Sequence, residues 1–251
     1  MTTDEESSCD GADPYALARR AGPAPVYLRL AGRRRIQVPV HRWYGRPTRA
    51  DETVLARCVN PVLDAGCGPG RLCRALLGRG VFALGVDLAP RAVAQTTVLG
   101  GIALCRSVFD QLPAEGDWQT VLLIDGNIGI GGDPHTLLYR CIQLTAPTGT
   151  LLVEADPDDV EERCSARLED GHGREGPPFP WARLGTPALH RIAADLALSV
   201  TDQWRWGHRR FLALCRHAST PLRRGEPVAR WRGEERPGRA ASGPGQAGCG
   251  T

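Results

Sequence analysis

The chain has 251 residues, enough to bury a full hydrophobic core, and its 42% apolar and 24% charged content is that of a globular protein, which excludes disordered and fibrous classes. No apolar run approaches the roughly 18–20 residues of a membrane-spanning helix, and the acidic opening MTTDEESSCDGAD lacks the basic and apolar regions of a secretory signal, so a cytoplasmic protein with no membrane partner is expected. The formal charge of +3 resides in residues 221–251, where six arginines face three acids; the neutral remainder argues against a nucleic-acid partner.

Taken in chain order, residues 1–13 are expected to be a disordered acidic arm. PVYLRL and IQVPV read as two short strands around the turn AGRRR, in which Arg33, Arg34 and Arg35 form a solvated tip. Thr48 or Asp51 caps a short helix through TVLARC (53–58). An apolar strand then runs into the glycine loop of PVLDAGCGPG. A helix at 69–79, the strand VFALGVD, a helix through APRAVAQTTV and the strand ALCRSVF follow. TVLLID is a fourth core strand, GNIGIGGD a loop, 134–145 a helix with proline in its first turn, and TLLVEAD a fifth strand. LEDGHGREGPPFPW reads as a Gly/Pro-rich surface excursion. A helix at 186–198 and the closing pair SVTDQWRW and HRRFLALCR complete the core. Within 221–251, 11 of 31 residues are Gly or Pro, so a disordered Pro/Gly/Arg tail is expected over 217–251. The fold class is therefore α/β: a doubly wound, mostly parallel, Rossmann-like sheet with an antiparallel C-terminal strand pair and a small N-terminal hairpin extension. The expected division is an extension at 14–60 and a core at 61–216.

The chemistry is narrowed by what is missing. All 31 basic residues are arginine, which excludes Schiff-base lysine enzymes, lysine-dependent phosphate loops and Ser-x-x-Lys acylases. The nine cysteines include no C-x-x-C and no Cys/His set at zinc spacing, so no metal is expected and the thiols read as reduced and structural.

One segment carries a positive signal. Asp64-Ala65-Gly66-Cys67-Gly68-Pro69-Gly70 ends the first core strand, where ligands of doubly wound sheets bind. Asp87, twenty-three residues on, ends the second strand, where a carboxylate can accept from both ribose hydroxyls. A dinucleotide site requires Gly-x-Gly-x-x-Gly. Here the third glycine comes one residue early and Arg71 stands in its place. Asp64 opposes a pyrophosphate and suits a ligand carrying an ammonium and a sulfonium, which points to S-adenosylmethionine.

VLDAGCGPGRL followed by LGVDLAP resembles motif I and its successor in class I S-adenosylmethionine-dependent methyltransferases. The resemblance spans about 62–156 by motif and strand order and 157–216 by architecture. It implies a methyltransferase (EC 2.1.1 class) that uses S-adenosyl-L-methionine. Asp64 and Gly66 would lie near the methionyl amino group, Gly68 and Gly70 would give the backbone room, Asp87 would bind the ribose, and Leu88 would pack on the adenine. After the third strand the register leaves two alternatives: Ser107 replaces the usual acid, with Val108 and Phe109 offering an N–H and a stacking surface, or Asp110 serves. The loop from Asp125 to Asp133 lacks the Pro-Pro-aromatic signature of base-amine methyltransferases, so the acceptor is expected to be a small molecule.

Methyl transfer from a sulfonium is a direct displacement that needs positioning and exclusion of water, and a proton acceptor only when the acceptor is an alcohol or phenol. The catalytic candidates are Asp125, also counted among the cofactor-binding residues, and His135, with His172 a further base; His135 reads more simply as a polar first-turn residue. Trp43 and Tyr44, or Phe179 and Trp181, could close an acceptor pocket. The four glycines of the 126–132 loop read equally as close approach to a ligand or as a flexible turn. The acids Glu154, Asp156, Asp158, Asp159, Glu161 and Glu162 read as a solvated helix start. Two other functions stay open: a non-catalytic cofactor- or partner-binding protein on the same fold, and an NAD(P)-dependent oxidoreductase.

Overall fold

The computed structural model describes residues 24–30 and 34–217; the expected arm at 1–13, the hairpin tip at 31–33 and the expected tail beyond His217 lie outside them. The chain opens with strands β1 (Val26–Arg29) and β2 (Arg35–Val38) and helices α1 (Val40–Tyr44) and α2 (Arg49–Leu55). Then come β3 (Val62–Ala65), α3 (Arg71–Leu77), β4 (Ala83–Asp87), α4 (Pro90–Val98), β5 (Ile102–Cys105) and β6 (Trp118–Leu123). A 3-10 segment at Asn127–Gly132 precedes α5 (Pro134–Leu144) and β7 (Thr145–Ala155). The remainder is β8 (Glu161–Asp170), β9 (Phe179–Leu184), α6 (Thr186–Asp195), β10 (Leu198–Trp206) and β11 (Arg209–Arg216).

Seven strands form the main sheet in the order β10-β11-β7-β6-β3-β4-β5. From β7 to β5 every pairing is parallel, and the two closing strands are the expected antiparallel pair. β11 alone is reversed: it runs against both β7 and β10. The continuous apolar runs of the core strands follow from burial on both faces. Leu63, Val121, Leu123, Leu151 and Val153 pack on one side with α5 and α6, while Val62, Leu122 and Leu152 pack on the other with Leu72, Cys73 and Leu76 of α3.

Local signals set the helix starts. The hydroxyl of Thr48 accepts from the backbone N–H of Asp51 while the Asp51 carboxylate accepts from the backbone N–H of Thr48, a reciprocal capping box. Helix α2 therefore begins at Arg49 with Thr48, one of the two expected caps, and it ends at Leu55, short of 58. Gly70, at φ 75°, turns the chain into α3 in a left-handed conformation that favours glycine.

The largest departure from expectation is a second sheet. Four strands in the order β2-β1-β8-β9, all antiparallel, join the N-terminal hairpin to a hairpin from the middle of the chain. The expected solvated helix start among the acids is thus corrected to the end of β7, where Glu154 is buried, a loop, and the first residues of β8. The reason is a period of two: Ala166 and Leu168 are buried and alternate with exposed residues, as a one-sided strand requires. The expected surface excursion is exposed over 171–175, and its flanks are the end of β8 and the start of β9, which make it the turn of this hairpin. Arg34 and Arg35 are exposed, as a solvated turn requires, and they also pair with Asp158, Glu162 and Glu169.

β9 lies directly on the 3-10 segment, and this explains its glycines. A Cβ on Gly129 would fall 2.3 Å from the carbonyl oxygen of Ala182 and 2.6 Å from the Trp181 ring; one on Gly132 would fall 2.8 Å from Pro180. One on Gly131 would meet Phe109 at 2.9 Å. The glycines make room for protein, an alternative to both sequence readings of the loop. Because backbone cannot yield as a flexible side chain does, Gly129→Ala should destabilise the fold by about 1–3 kcal/mol. Thermal unfolding would register this as a lowered midpoint, and an unchanged midpoint would mean that β9 is not seated on the loop.

Candidate active site

A cavity of about 790 Å³ opens between the carboxyl ends of β3, β4 and β6 and one face of the small sheet. The glycine loop forms part of its floor. Gly66 and Cys67 donate their N–H groups to the carbonyl of Val86 at 2.8 and 3.0 Å, which fixes the loop to β4. Thr96, wholly buried on α4, donates to the carbonyl of Gly68 at 3.0 Å.

Asp87 is set by backbone. One carboxylate oxygen accepts from the N–H of Gly68 at 2.8 Å and the other from the N–H of Ala89 at 2.9 Å. Beside it the side chains of Leu88 and Phe109, 70% and 40% exposed, present apolar surface to the cavity. Ser107 and Val108 line the same wall, whereas Asp110 lies outside the lining and its carboxylate accepts from the N–H of Ser107 at 3.0 Å.

Asp64, Gly66, Gly68, Asp87, Leu88, Ser107, Val108, Phe109 and Asp125 are thus brought together around one cavity. Gly70 is not in its lining. What Gly70 accommodates is Thr96, whose side chain a Cβ would meet at 2.4 Å. His135 and His172 are exposed and outside the lining, so neither is placed as a base. His135 sits in the first turn of α5, its N–H donating to the cap residue Asp133 at 3.1 Å. Trp43, Phe179 and Trp181 do line the cavity; Tyr44 does not.

Asp125 is held rather than free. It adopts a φ of 59°, uncommon for a residue with a side chain. Its carboxylate accepts from Arg42 at 2.7 Å, from Arg209 at 3.0 Å and from Arg71. Burial alone would raise its pKa, but the guanidinium groups of Arg71, Arg209 and Arg42 hold it below the usual carboxylate range, which makes it a poor proton acceptor. The same arginines reach two further acids. Arg209 spans both oxygens of Glu154 at 2.6 Å and reaches Asp51 at 2.7 Å; Arg71 also pairs with Asp51. Three arginines and three carboxylates therefore form one buried network. Sequence reasoning missed all of it except Asp125, because its bonded partners lie up to 158 residues apart.

Asn127 was also missed. Its amide nitrogen donates to the carbonyls of Ala65 and Gly66 at 2.9 and 2.8 Å, tying the loop after β6 to the glycine loop. The signal was present in the Gly126-Asn127 pair that follows Asp125, since a left-handed glycine there turns the chain back over β3.

The comparisons with known proteins agree with this geometry. No protein-family model matches the chain. It is 31% identical over 169 residues to a trans-aconitate 2-methyltransferase of Enterobacter sp. (strain 638), a match covering 63% of this chain and 65% of that protein. It is 31% identical over 97 residues to a ubiquinone biosynthesis O-methyltransferase of Pseudomonas fluorescens (strain SBW25), covering 35% of this chain and 40% of the relative. The chain thus spans less than two thirds of the length of these curated relatives. Among solved structures it superposes on a SAM-dependent methyltransferase from Bacteroides fragilis in complex with S-adenosyl-L-homocysteine, with a TM-score of 0.69 and 21% identity, over 84% of this chain and 96% of that one. The chain has the class I S-adenosylmethionine-dependent methyltransferase fold.

Asp64 is 2% exposed, and burial pushes its carboxyl up to about 7, partly opposed by a hydrogen bond from the Cys73 thiol and reinforced by Asp125 and Asp87. The folded protein therefore holds this proton more tightly than the unfolded chain. The associated stability is fully present below about pH 4, declines as pH rises from about 4 to 7, and is absent above. Asp64→Asn should remove this decline, so that urea unfolding finds the variant more stable than the parent at pH 8 by on the order of a few kcal/mol, and the two closely matched at pH 4. Parallel stability curves would show that the carboxyl is not buried against its charge. In the ion-pair network, Arg209→Met leaves Glu154 without its counter-charge and Asp51 with Arg71 alone, and should cost about 3–5 kcal/mol, read from the urea midpoint. A loss under about 1 kcal/mol would show that the network is open to water.

Proposed function

We propose that the chain is an S-adenosylmethionine-dependent methyltransferase acting on a small-molecule acceptor by direct displacement. The observation that carries this reading is the Asp87 carboxylate, pinned by the N–H groups of Gly68 and Ala89 at the cavity wall with two uncovered apolar side chains beside it. A ribose offers two hydroxyl donors to such a group, and an adenine offers a flat face to Leu88 and Phe109. The names of the relatives and of the fold neighbour support the reading.

The fit extends to the other end of the nucleoside. Asp64 is a buried carboxyl facing a cavity floored by bare glycine backbone, which suits an ammonium and leaves room for a methionyl chain. When bound, S-adenosylmethionine supplies a methyl group already activated on a sulfonium. The chain's own residues then bind and orient. Asp87 would hold the ribose, the Ser107–Phe109 turn the adenine, and Asp64 the amino group. Asn127 would hold the floor in shape, and the small sheet would exclude water from the transfer point. We take 61–216 as the catalytic core and 14–60 as the segment that closes it, and place the protein in the cytoplasm, a setting that suits the seven free cysteines among the described residues.

Calorimetric titration with S-adenosylhomocysteine, with NADH in parallel, tests the reading. Saturable binding of the former alone is expected, and Asp87→Ala should weaken it about tenfold or more through loss of charge-assisted hydrogen bonds. The Asp64 carboxyl must ionise to face an ammonium. Affinity should therefore rise from pH 6 to pH 7, by at most about tenfold, and level off above. Asp64→Asn should abolish that trend. Heat with NADH alone would move the assignment to an oxidoreductase, and binding of neither would leave the non-catalytic reading.

A further inference from the structure

The half of the cavity away from Asp87 is built by the small sheet, and its chemistry constrains what can be methylated there. Its walls are apolar: Ile36 and Val38 of β2, Leu168 of β8, and Phe179 and Trp181 of β9. Phe179 and Trp181 alternate along one strand face and meet edge to face, with ring centroids 6.0 Å apart and planes at 85°. Trp43 adds a third ring, packing against both the small-sheet cluster and Ala89 and Ala92 of the core, so that it bridges the two walls.

The charged groups in this half are already paired, and Gln37 of β2 adds an uncharged amide. Among the described residues the lining includes Asp125, Glu154, Asp156 and Arg183, and no histidine or tyrosine. Asp125 and Glu154 are bound by the arginine network described above. Both oxygens of Asp156 accept from Arg183 at 2.8 Å, and Arg183 also reaches Asp158 at 3.2 Å. Among the described residues no carboxylate in this half is free to accept a proton from an acceptor hydroxyl, and neither Arg71 nor Arg183 is free to pair with an acceptor carboxylate; Arg106, also in the cavity lining, follows β5 beside Ser107 and donates to the carbonyl of Gln111 at 2.9 Å.

Resting on the methyltransferase reading, we infer that the acceptor is an uncharged, planar aromatic molecule whose nucleophilic atom carries its own available lone pair, with an aromatic ring nitrogen as the type. The aromatic walls supply affinity by stacking and burial. The reaction then requires nothing from a base. The lone pair on nitrogen forms the bond to the methyl carbon, the carbon–sulfur bond breaks with its pair left on sulfur, and the positive charge passes from the sulfonium to the acceptor nitrogen. No proton moves, so ionic groups locked in pairs are no handicap. Their mutual neutralisation also keeps the chamber from attracting charged competitors.

Isoquinoline is the probe: neutral at pH 7.5, flat, and methylated to N-methylisoquinolinium with no proton lost. The full-length protein saturated with S-adenosylhomocysteine is titrated calorimetrically with isoquinoline and, separately, with trans-aconitate as an aliphatic tricarboxylate. Isoquinoline should bind and the tricarboxylate should not. Phe179→Ala and Trp181→Phe should each weaken isoquinoline about fivefold or more while leaving the S-adenosylhomocysteine affinity within about twofold, a split that general unfolding would not produce. Mass spectrometry after incubation with S-adenosylmethionine should find the methylated cation, at a rate that does not fall between pH 8 and 7. If S-adenosylhomocysteine binds but isoquinoline does not, or if the tricarboxylate binds instead, the acceptor assignment fails and the methyltransferase reading stands. Equal loss of both ligands in the variants also overturns the assignment. If S-adenosylhomocysteine itself does not bind, the underlying reading fails first.

Discussion

The rest of the structure depends on a set of charges that cannot be left unpaired. Asp51, Arg71, Asp125, Glu154 and Arg209 are almost wholly shielded, with Arg42 at the edge, and each is tolerable only because the others are present. The members come from α1, α2, the first turn of α3, the end of β6, β7 and β11. The network therefore fixes the N-terminal helices against the carboxyl edge of the sheet more specifically than apolar contact could, since an ion pair has one register and a hydrophobic patch has many. It also explains the arginine that stands where a dinucleotide site has its third glycine. Arg71 is turned inward to Asp51 and Asp125, and is there for architecture rather than for a phosphate.

The second constraint is steric. The small sheet can cover the cavity only because the segment after β6 has no side chains where β9 crosses it. Gly129 and Gly132 let a strand lie against a loop at a distance that a methyl group would forbid. That contact sets the height of the roof, and the roof brings Phe179 and Trp181 over the same space that Asp64 and Asp87 border from below. A cofactor-sized half and an apolar half thus share one enclosure, although their residues come from separate sheets.

Legibility in the sequence followed the range of the interactions. The glycine loop and Asp87 were readable because their geometry is local: strand, turn and helix succeed one another within about twenty-five residues, and the fold class permits one place for them. The parallel core was readable because strands buried on both faces are continuous apolar runs. The acid-rich stretch after β7 was read as a helix start because acids favour that position. There the alternating burial of β8 prevails, and Arg183, Arg34, Arg210 and Arg191, from β9, the residue before β2, β11 and α6, pair with Asp156, Asp158, Glu162, Asp159 and Glu161. Nothing local announces such pairing. For the same reason Asp125 could be proposed as a base from its place at a strand end, while the three guanidiniums that disable it were out of view.

Asp64 and Asp125 show how two acids at neighbouring strand ends acquire opposite character. Asp125 is compensated threefold and stays ionised at a low pKa; Asp64 is buried with a thiol as its hydrogen-bond partner and resists ionisation up to about 7. A fold selected only for stability would gain by replacing Asp64 with a neutral residue, because its charge is a cost whenever the cavity holds no cation. Its presence at the floor of the glycine loop is accounted for if a cation arrives there. The ammonium of a bound ligand would supply the missing partner, and part of the ligand's affinity would be the relief of that buried charge. Destabilisation at this one position and the pairing of Asp125, Glu154 and Asp156 with arginines are two sides of one arrangement, in which a buried charge is left uncompensated where a ligand is to compensate it.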